Sequence, residues 1–456
     1  MRYAERVSES RNDAARGPVV EIRDVTTDGR GVGRLDDGRV AFVDGALPGD
    51  TVRIEITRER TSRVDAVAVG TIVASPDRID PPCPHQAACG GCPLMPLAPA
   101  AALALKVRHL EQTLRRVGRL AIGTDEVIAA PRTERYRTRL RFAVAPRARG
   151  VAVGFHAASD PARLVPVDDC LLGPGEMTRI ARRAVELIAA RTAEEDDAAW
   201  PTHVTVRGTR DGAAFLLVLE GIDAPWTAGR TIGDALCEEI PALRGVHVVG
   251  RARRGRSPAP RHLAGARRLH DTIGPFEVAV EPGGFLQVNP DVAERLYACV
   301  ARELAAGGAP RSVLDLYCGQ GLAGLAASAP DTALLGVESD ATAVRAARRL
   351  ARTLGLTRAR YRVGDAARVV RALAGTTARW EAVVVNPPRR GADPAIPRLA
   401  ARLGARRIAI VSCHPATLAR DARRFVEAGF APRRLVAADM FPHTTHLEAL
   451  LVLEAR

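Results

Sequence analysis

Four apolar runs in the last third of the chain constrain its fold more than any other feature. They are "VLDLY", "ALLGVE", "AVVVN" and "IAIVS", separated by stretches with helical periodicity. A strand that is apolar at successive positions must be covered on both faces. Helices alternating with such strands give a parallel sheet wrapped on both sides. The region from about Gly284 to the end is therefore expected to be a doubly wound α/β domain. At 456 residues the chain exceeds one ordinary core, so two or three domains are expected.

The amino-terminal part reads differently. Residues 1–16 are polar and are expected to be disordered. From Val19 to Ser75 the pattern is all strand. In "TVRIEIT", Val52, Ile54 and Ile56 alternate with Arg53, Glu55 and Thr57, and "DGRGVGRL", "DDGR" and "LPGD" supply turns. Several short strands in so few residues imply a small barrel. The text "GRGVGRLDDGRVAFVDGALPGD" resembles a TRAM domain, an OB-like RNA-binding module.

Charge points the same way. The formal net charge is +14, carried almost wholly by arginine, with Lys106 the single lysine. Such an excess favours a polyanionic partner, most simply nucleic acid. No long uncharged apolar run suggests a membrane span, and "MRYAERVSES" lacks the apolar core of an export signal, so a cytoplasmic location is expected. In that setting a disulfide framework is not expected for the eight cysteines. Cys237 and Cys299 fall in helix-like runs and are expected to be small buried hydrophobes.

The stretch "VLDLYCGQGLAG" is a strand, a glycine turn and a helix. Gly319 and Gly321 let a ligand approach the backbone at the strand's carboxyl end, and Glu338 ends the next strand, where it can accept from ribose hydroxyls. The third glycine of a dinucleotide fingerprint is read as absent, since Leu322 and Ala323 precede Gly324, which favours S-adenosylmethionine over NAD. Asp365 in "VGDAAR" is expected to end a third strand, within reach of an adenine amino group. In "VVVNPPRRG", Asn386 ends a strand and two prolines set the turn after it. An aromatic residue after NPP would suggest amino-group methylation. Arg389 stands there instead, which disfavours that chemistry and offers a guanidinium for a phosphate or carboxylate.

Cys413 ends the run "RRIAIVSC" just before a helix start, a place expected to favour the thiolate. "DMFPHTTHLEAL" pairs a proline turn with an expected strand carrying Glu448, a carboxylate flanked by apolar residues, and an acid so placed needs a partner or a function. Together they suit methylation of uracil C5. A thiolate adding at C6 makes C5 enolate-like, and a base then removes the C5 proton so that the thiolate can leave. Cys413 is the candidate nucleophile and Glu448 the candidate base.

The segments "GGFLQVNP", "DLYCGQG", "VVVNPPRRG", "VSCHPATLARD" and "DMFPHTTHLEAL" occur in the order found in the RNA uracil-C5 methyltransferase family, which the chain resembles over nearly its full length. "YRTRLRF" and "RLVPVDDC" are also similar to family text. The resemblance implies that Gln287, Tyr317, Glu338, Asp365 and Asn386 contact S-adenosylmethionine and that Cys413 and Glu448 are catalytic. Leu322, Asn386 and His414 depart from the commoner family residues, although an NPPRRG form occurs in the ribosomal-RNA branch.

"CPHQAACGGC" has the spacing C-x5-C-x2-C. With Cys170, the cysteines Cys83, Cys89 and Cys92 could supply four thiolates to structural zinc or to a [4Fe–4S] cluster. Three clustered ligands and one remote ligand favour the cluster, and so does the resemblance, since several members carry one. His85 is read as a loop residue.

The expected architecture is a tail (1–16), a TRAM barrel (17–75) and a mixed α+β central domain bearing the cluster (76–97 and 126–280). A Rossmann-like class I methyltransferase domain (98–125 and 281–456) completes it. The expected activity is methylation of uridine C5 in structured RNA by a monomer, with 23S ribosomal RNA ahead of transfer RNA. An RNA-binding protein with a lapsed active site is the rival from another class.

Overall fold

The computed structural model describes residues 17–146, 151–192, 200–223, 226–252 and 258–456. The expected tail at 1–16 lies outside them, as do residues 253–257 of "GRARRGRSPAPRHLAGARR" (250–268). The chain divides into two compact units, one of residues 1–106, 155–165 and 441–446, the other of residues 107–154, 166–440 and 447–456.

The first unit contains the barrel. Strands β1 (Val19–Val25), β2 (Gly31–Arg34), β3 (Val40–Asp44), β4 (Thr51–Glu59) and β5 (Arg63–Val73) close in the order β1-β2-β3-β5-β4. The period of two in β4 is used as expected: Val52 and Ile54 join Val20, Ile22, Val43 and Val64 in the barrel core. Asp50, from the turn "LPGD", is fully buried. Its carboxylate accepts from the Leu47 N–H at 2.7 Å, the Ser75 N–H at 2.9 Å and the Arg78 Nη2 at 2.7 Å. Burial alone would raise its pKa, but these donors outweigh it and hold the group below its ordinary value. Residues 441–446 belong to this unit by bonding. The Leu94 N–H donates to the His443 carbonyl, Thr445 Oγ1 to the Thr27 carbonyl, and the buried Lys106 Nζ to the Phe441 carbonyl at 3.0 Å.

Helix α1 (Pro99–Thr113) has residues in both units and ends in a wide turn, Leu114–Gly118. β6 (Glu126–Ile128) joins the sheet of the carboxyl-terminal part. β7 (Arg139–Pro146), β8 (Val151–His156), β9 (Leu164–Pro166), β10 (His203–Gly208), β11 (Phe215–Glu220), β12 (Leu243–Val249) and β13 (Arg261–Gly265) form one mixed sheet. Helices α2 (Gly175–Thr192) and α3 (Gly229–Glu239) accompany it, and a hairpin of β14 (Leu269–Ile273) and β15 (Phe276–Val280) follows. Leu216, Leu269 and Val280 pack together where the hairpin meets that sheet. Cys299 is buried as expected, whereas Cys237 is only half-buried, near the end of α3.

The carboxyl-terminal part alternates as the apolar runs require. Helix α4 (Pro290–Leu304) precedes β16 (Ser312–Leu316), α5 (Leu322–Ala326), β17 (Ala333–Glu338), α6 (Ala341–Thr353) and β18 (Ala359–Val363). Then come α7 (Ala366–Ala374), β19 (Ala382–Val385), α8 (Ile396–Arg402), β20 (Arg407–Ser412), α9 (Pro415–Glu427), β21 (Phe430–Ala438) and β22 (Glu448–Ala455). The sheet order is β18-β17-β16-β19-β20-β22-β21-β6. β16 to β20 run parallel, and β22 is antiparallel to β20 and β21. Strand order reverses between β16 and β19, and in open α/β sheets a ligand crevice opens at the carboxyl ends beside such a point.

Candidate active site

Strand register lines up the expected site residues along that carboxyl edge. Leu316 of β16 pairs with Val337 of β17 and with Val385 of β19, so Tyr317, Glu338 and Asn386 each stand one residue past a paired position. On the other side Ser412 of β20 pairs with Ala449 of β22. One step further in the same register sets Cys413 against Glu448, and directly opposed residues of an antiparallel pair present their side chains on one face. Gln287 is not part of this register. It is buried in the loop that leads into α4.

The glycine turn is braced from three directions. The Gly319 N–H donates to Glu338 Oε2 at 3.2 Å, and the Gln320 side chain bonds the Ala279 backbone of β15. The Gly324 N–H donates to Asp315 Oδ2 at 3.0 Å. A Cβ on Gly324 would lie 2.6 Å from that oxygen, so only glycine lets α5 sit this close to β16. Gly319, Gly321 and Gly324 thus form a complete G-x-G-x-x-G, and the glycine count does not separate S-adenosylmethionine from a dinucleotide as the sequence reading supposed. Beside Gly319 a Cβ would meet nothing within 4 Å, which leaves open space at the turn facing the crevice. Glu338 Oε1 already accepts from the Ser339 and Asp340 N–H groups, which fixes the carboxylate at the strand end. Open space at the turn and a fixed carboxylate next to it fit the ribose of a nucleoside cofactor.

Asp365 is placed differently from expectation. β18 ends at Val363, and Asp365 is the N-cap of α7, its Oδ1 accepting from the Arg368 N–H at 2.8 Å. The cap turns the chain into the helix, which is why the strand stops short of it. Asp315 was not singled out from the sequence, although an acid inside an apolar run is a visible signal. It is buried, and burial pushes it up to about 7, against the Gly324 bond and with the charge of Glu338 adding to the rise.

Cys413 follows the last residue of β20, and His414 caps α9, with Nδ1 accepting from the Thr417 N–H at 3.2 Å. His414 thus supplies the acceptor that an asparagine would supply. Burial pushes the Cys413 thiol up, and the charge of Glu448 adds to this. Arg389 opposes both, through its charge and a hydrogen bond to the sulfur. The expectation of a favoured thiolate is therefore corrected. The helix start is there, but half-burial and the neighbouring acid outweigh it. Glu448 is 2% exposed and burial pushes it up to about 8, so near neutrality it holds its proton. The same charge, with that of Asp315, adds to burial in raising the phenol of Tyr297 on α4.

The loop that carries Arg389 is fastened to the helix that follows the thiol. Asp421, buried on α9, accepts from the Ala392 N–H at 2.7 Å, and Arg420 donates to the Arg390 carbonyl at 2.6 Å. "NPPRRG" and "SCHP" are thereby held as one piece. The far side of α9 is equally close-packed: a Cβ on Gly118 would lie 3.1 Å from the Ala419 carbonyl.

The cysteine-rich loop lies in the first unit. Cys83, Cys89 and Cys92 are all half-buried, and Cys83 is near enough to help raise the Cys89 thiol, after burial. Cys170 is buried and belongs to the second unit. Among the described residues no three His, Cys, Asp or Glu side chains are gathered to hold a metal ion, so the expected ligand set is not assembled in this structure. Among the described residues no helix is long and apolar enough to cross a membrane.

Comparisons with known proteins agree with this geometry. Residues 244–456 match the family model described as tRNA (Uracil-5-)-methyltransferase, and residues 19–69 match the TRAM domain. The chain is 33% identical to the 23S rRNA (uracil(1939)-C(5))-methyltransferase RlmD of Chromohalobacter salexigens, over 98% of this chain and 92% of that protein. It is 30% identical to an uncharacterised RNA methyltransferase of Halalkalibacterium halodurans, over 96% of both chains. Among solved structures it is similar in fold to the Pyrococcus abyssi tRNA (uracil-54, C5)-methyltransferase in complex with S-adenosyl-L-homocysteine. That match has a TM-score of 0.73 and 22% identity, over 95% of this chain and 99% of that one.

Proposed function

The chain belongs to the RNA uracil-C5 methyltransferase family, and from that premise we propose that it methylates a uridine of 23S ribosomal RNA at C5, with Cys413 as nucleophile and Glu448 as base. The observation that carries this reading is the register that sets Cys413 against Glu448 at the end of β20, beside Arg389. Bound S-adenosylmethionine supplies an electrophilic methyl group, and Gln287, Tyr317, Glu338, Asp365 and Asn386 are the residues proposed to hold it.

The protein's own groups then act in sequence. Arg389 stabilises the Cys413 thiolate, which adds to C6 of a uracil turned out of its stack. Once C5 is methylated, the Glu448 carboxylate takes the C5 proton and the thiolate leaves. Glu448 must be ionised for that step, so turnover is expected to rise as pH passes about 8.

Ribosomal RNA is favoured over transfer RNA because the relatives covering nearly the whole chain include several named for 23S rRNA. Mapping 5-methyluridine in ribosomal and transfer RNA from a deletion strain tests the target. Loss of one 5-methyluridine from 23S rRNA supports the reading, and loss confined to transfer RNA replaces it.

Cys83, Cys89, Cys92 and Cys170 are proposed to ligate a [4Fe–4S] cluster, on their all-thiol chemistry and spacing. On that reading anaerobically purified protein carries about four irons per chain. Stoichiometric zinc in place of iron, or no metal, overturns it.

A further inference from the structure

Residues 341–363, which form α6, β18 and the turn between them, contain seven arginines and no aspartate or glutamate. We infer that this outer edge of the catalytic sheet is a docking groove for the phosphate backbone of the RNA substrate, away from the target uridine. The inference rests on the reading of the chain as an RNA-modifying enzyme.

Several arginines elsewhere in the second unit are matched by acids. Arg420 and Arg424 pair with Asp421, Arg302 and Arg434 with Glu126, and Arg210 with Asp291 and Glu294. Among the described residues, of the seven arginines in 341–363 only Arg349, the least exposed, is ion-paired, to Glu281. The other six are exposed. Four of them converge because α6 runs back along β18. Arg348, Arg352, Arg360 and Arg362, with Gly355 and Thr357, line a groove of about 580 Å³. Arg348 spans it by donating to the Tyr361 carbonyl at 2.6 Å, and Arg360 is braced on the Thr357 and Ala359 carbonyls. Arg352 and Arg362 are left to face whatever enters.

The groove is separate from the cofactor crevice. It is lined from the second half of α6, the turn after it and β18 from Ala359 to Arg362, and none of Gly319, Glu338 and Asp365 is among its lining residues. β18 is also the last strand of its sheet. Cations on an edge strand discourage pairing with another chain, but that role would need only the strand residues and leaves the α6 arginines unexplained. Unpaired guanidiniums from two elements around one open groove match a run of phosphates, each contact releasing counterions.

The test compares wild type with Arg352→Gln/Arg362→Gln and with Arg352→Lys/Arg362→Lys in the full-length protein. The probe is a fluorescein-labelled 23S rRNA stem–loop, followed by anisotropy across a salt series. The Gln pair should weaken binding roughly tenfold near physiological salt and flatten the log–log salt slope by about one to two. The Lys pair should stay near wild type, and S-adenosylmethionine binding should be unchanged in both, which shows that the site is folded. If the Gln pair binds like wild type with the same slope, the groove assignment is wrong while the enzymatic reading stands. If wild type neither binds RNA nor methylates it, both fall. If the substitutions instead weaken binding to phosphatidylglycerol vesicles and leave RNA untouched, the groove serves another polyanion and the assignment is again wrong.

Discussion

Sulfur is held in two contrasting ways in this protein. Cys413 stands between a strand and a helix, with its neighbours set by register. Glu448 lies across the ladder, and Arg389 arrives on a loop that Asp421 and Arg420 lock to the same helix. Cys83, Cys89 and Cys92 sit in a run of turns closed by short backbone bonds, Gln86 to Cys83, Cys89 to His85 and Met95 to Cys92, with one isolated bridge from Cys89 to Ala157. Both settings raise a thiol pKa by burial. At Cys413 a guanidinium works against that rise, whereas at Cys89 the nearby Cys83 adds to it. A thiol meant to react needs a cation beside it in the protein itself. Thiols proposed as ligands can repel one another where a bound metal would reverse the local charge.

The largest expected effect comes from removing the reactive member of this comparison. Cys413→Ala should lower methyl transfer by roughly four orders of magnitude or more, since it removes the proposed nucleophile. Its S-adenosylmethionine affinity, read by calorimetry, should stay near wild type. Cys83→Ser tested in the same assay should retain far more activity. If the two losses are equal, the loop thiols are part of the chemistry and the contrast collapses.

Arg389→Gln removes the cation and should be next in size. Losing a charge-assisted bond to the thiolate should cost roughly ten- to a hundredfold in kcat and shift the rate–pH curve to higher pH. Arg389→Lys should recover part of it. An unshifted pH curve would mean that Arg389 does not act on the thiol.

Glu448→Gln gives a stability signature. Folding raises this carboxyl from 4.5 to about 8, so the folded state holds the proton more tightly and stability declines as pH rises from about 4.5 to 8. The amide has no such penalty. The stability of Glu448→Gln relative to wild type should therefore climb across that range, by on the order of a few kcal/mol at most, read as a rising difference in melting temperature. A pH-independent difference would show that Glu448 is ionised in the free enzyme. The smallest effect belongs to His414→Asn, which exchanges one N-cap acceptor for another and should change stability by less than about 1 kcal/mol.

Much of this was legible in the residues. Continuous apolar runs announced the parallel strands, because burial on both faces leaves no place for alternation, and Cys413 and Glu448 stood out as polar groups at the ends of such runs. Elements closed by long-range contacts were not legible. Nothing in "NPPRRG" indicates that Arg389 folds back onto a thiol 24 positions away. A helix start suggested a lowered Cys413 pKa, but burial is a property of the assembled sheet edge and reversed the sign. Asp365 was misplaced because one aspartate can end a strand and cap the next helix only when no turn separates them, and here β18 stops at Val363, two residues before the cap. Asp315 was passed over because it sits inside a strand, although its burial under the glycine turn makes it as unusual as Glu448.

The covalent step is the centre of the account, and trapping it is the most direct measurement. Without the Glu448 carboxylate, addition and methyl transfer proceed but the C5 proton stays and the thiolate cannot leave. Glu448→Gln incubated with substrate RNA and methyl-labelled S-adenosylmethionine should therefore accumulate a labelled protein–RNA band that survives a denaturing gel. The double variant with Cys413→Ala should show none. Full turnover by Glu448→Gln with no such band, or a band that persists without Cys413, would contradict the assignment of nucleophile and base.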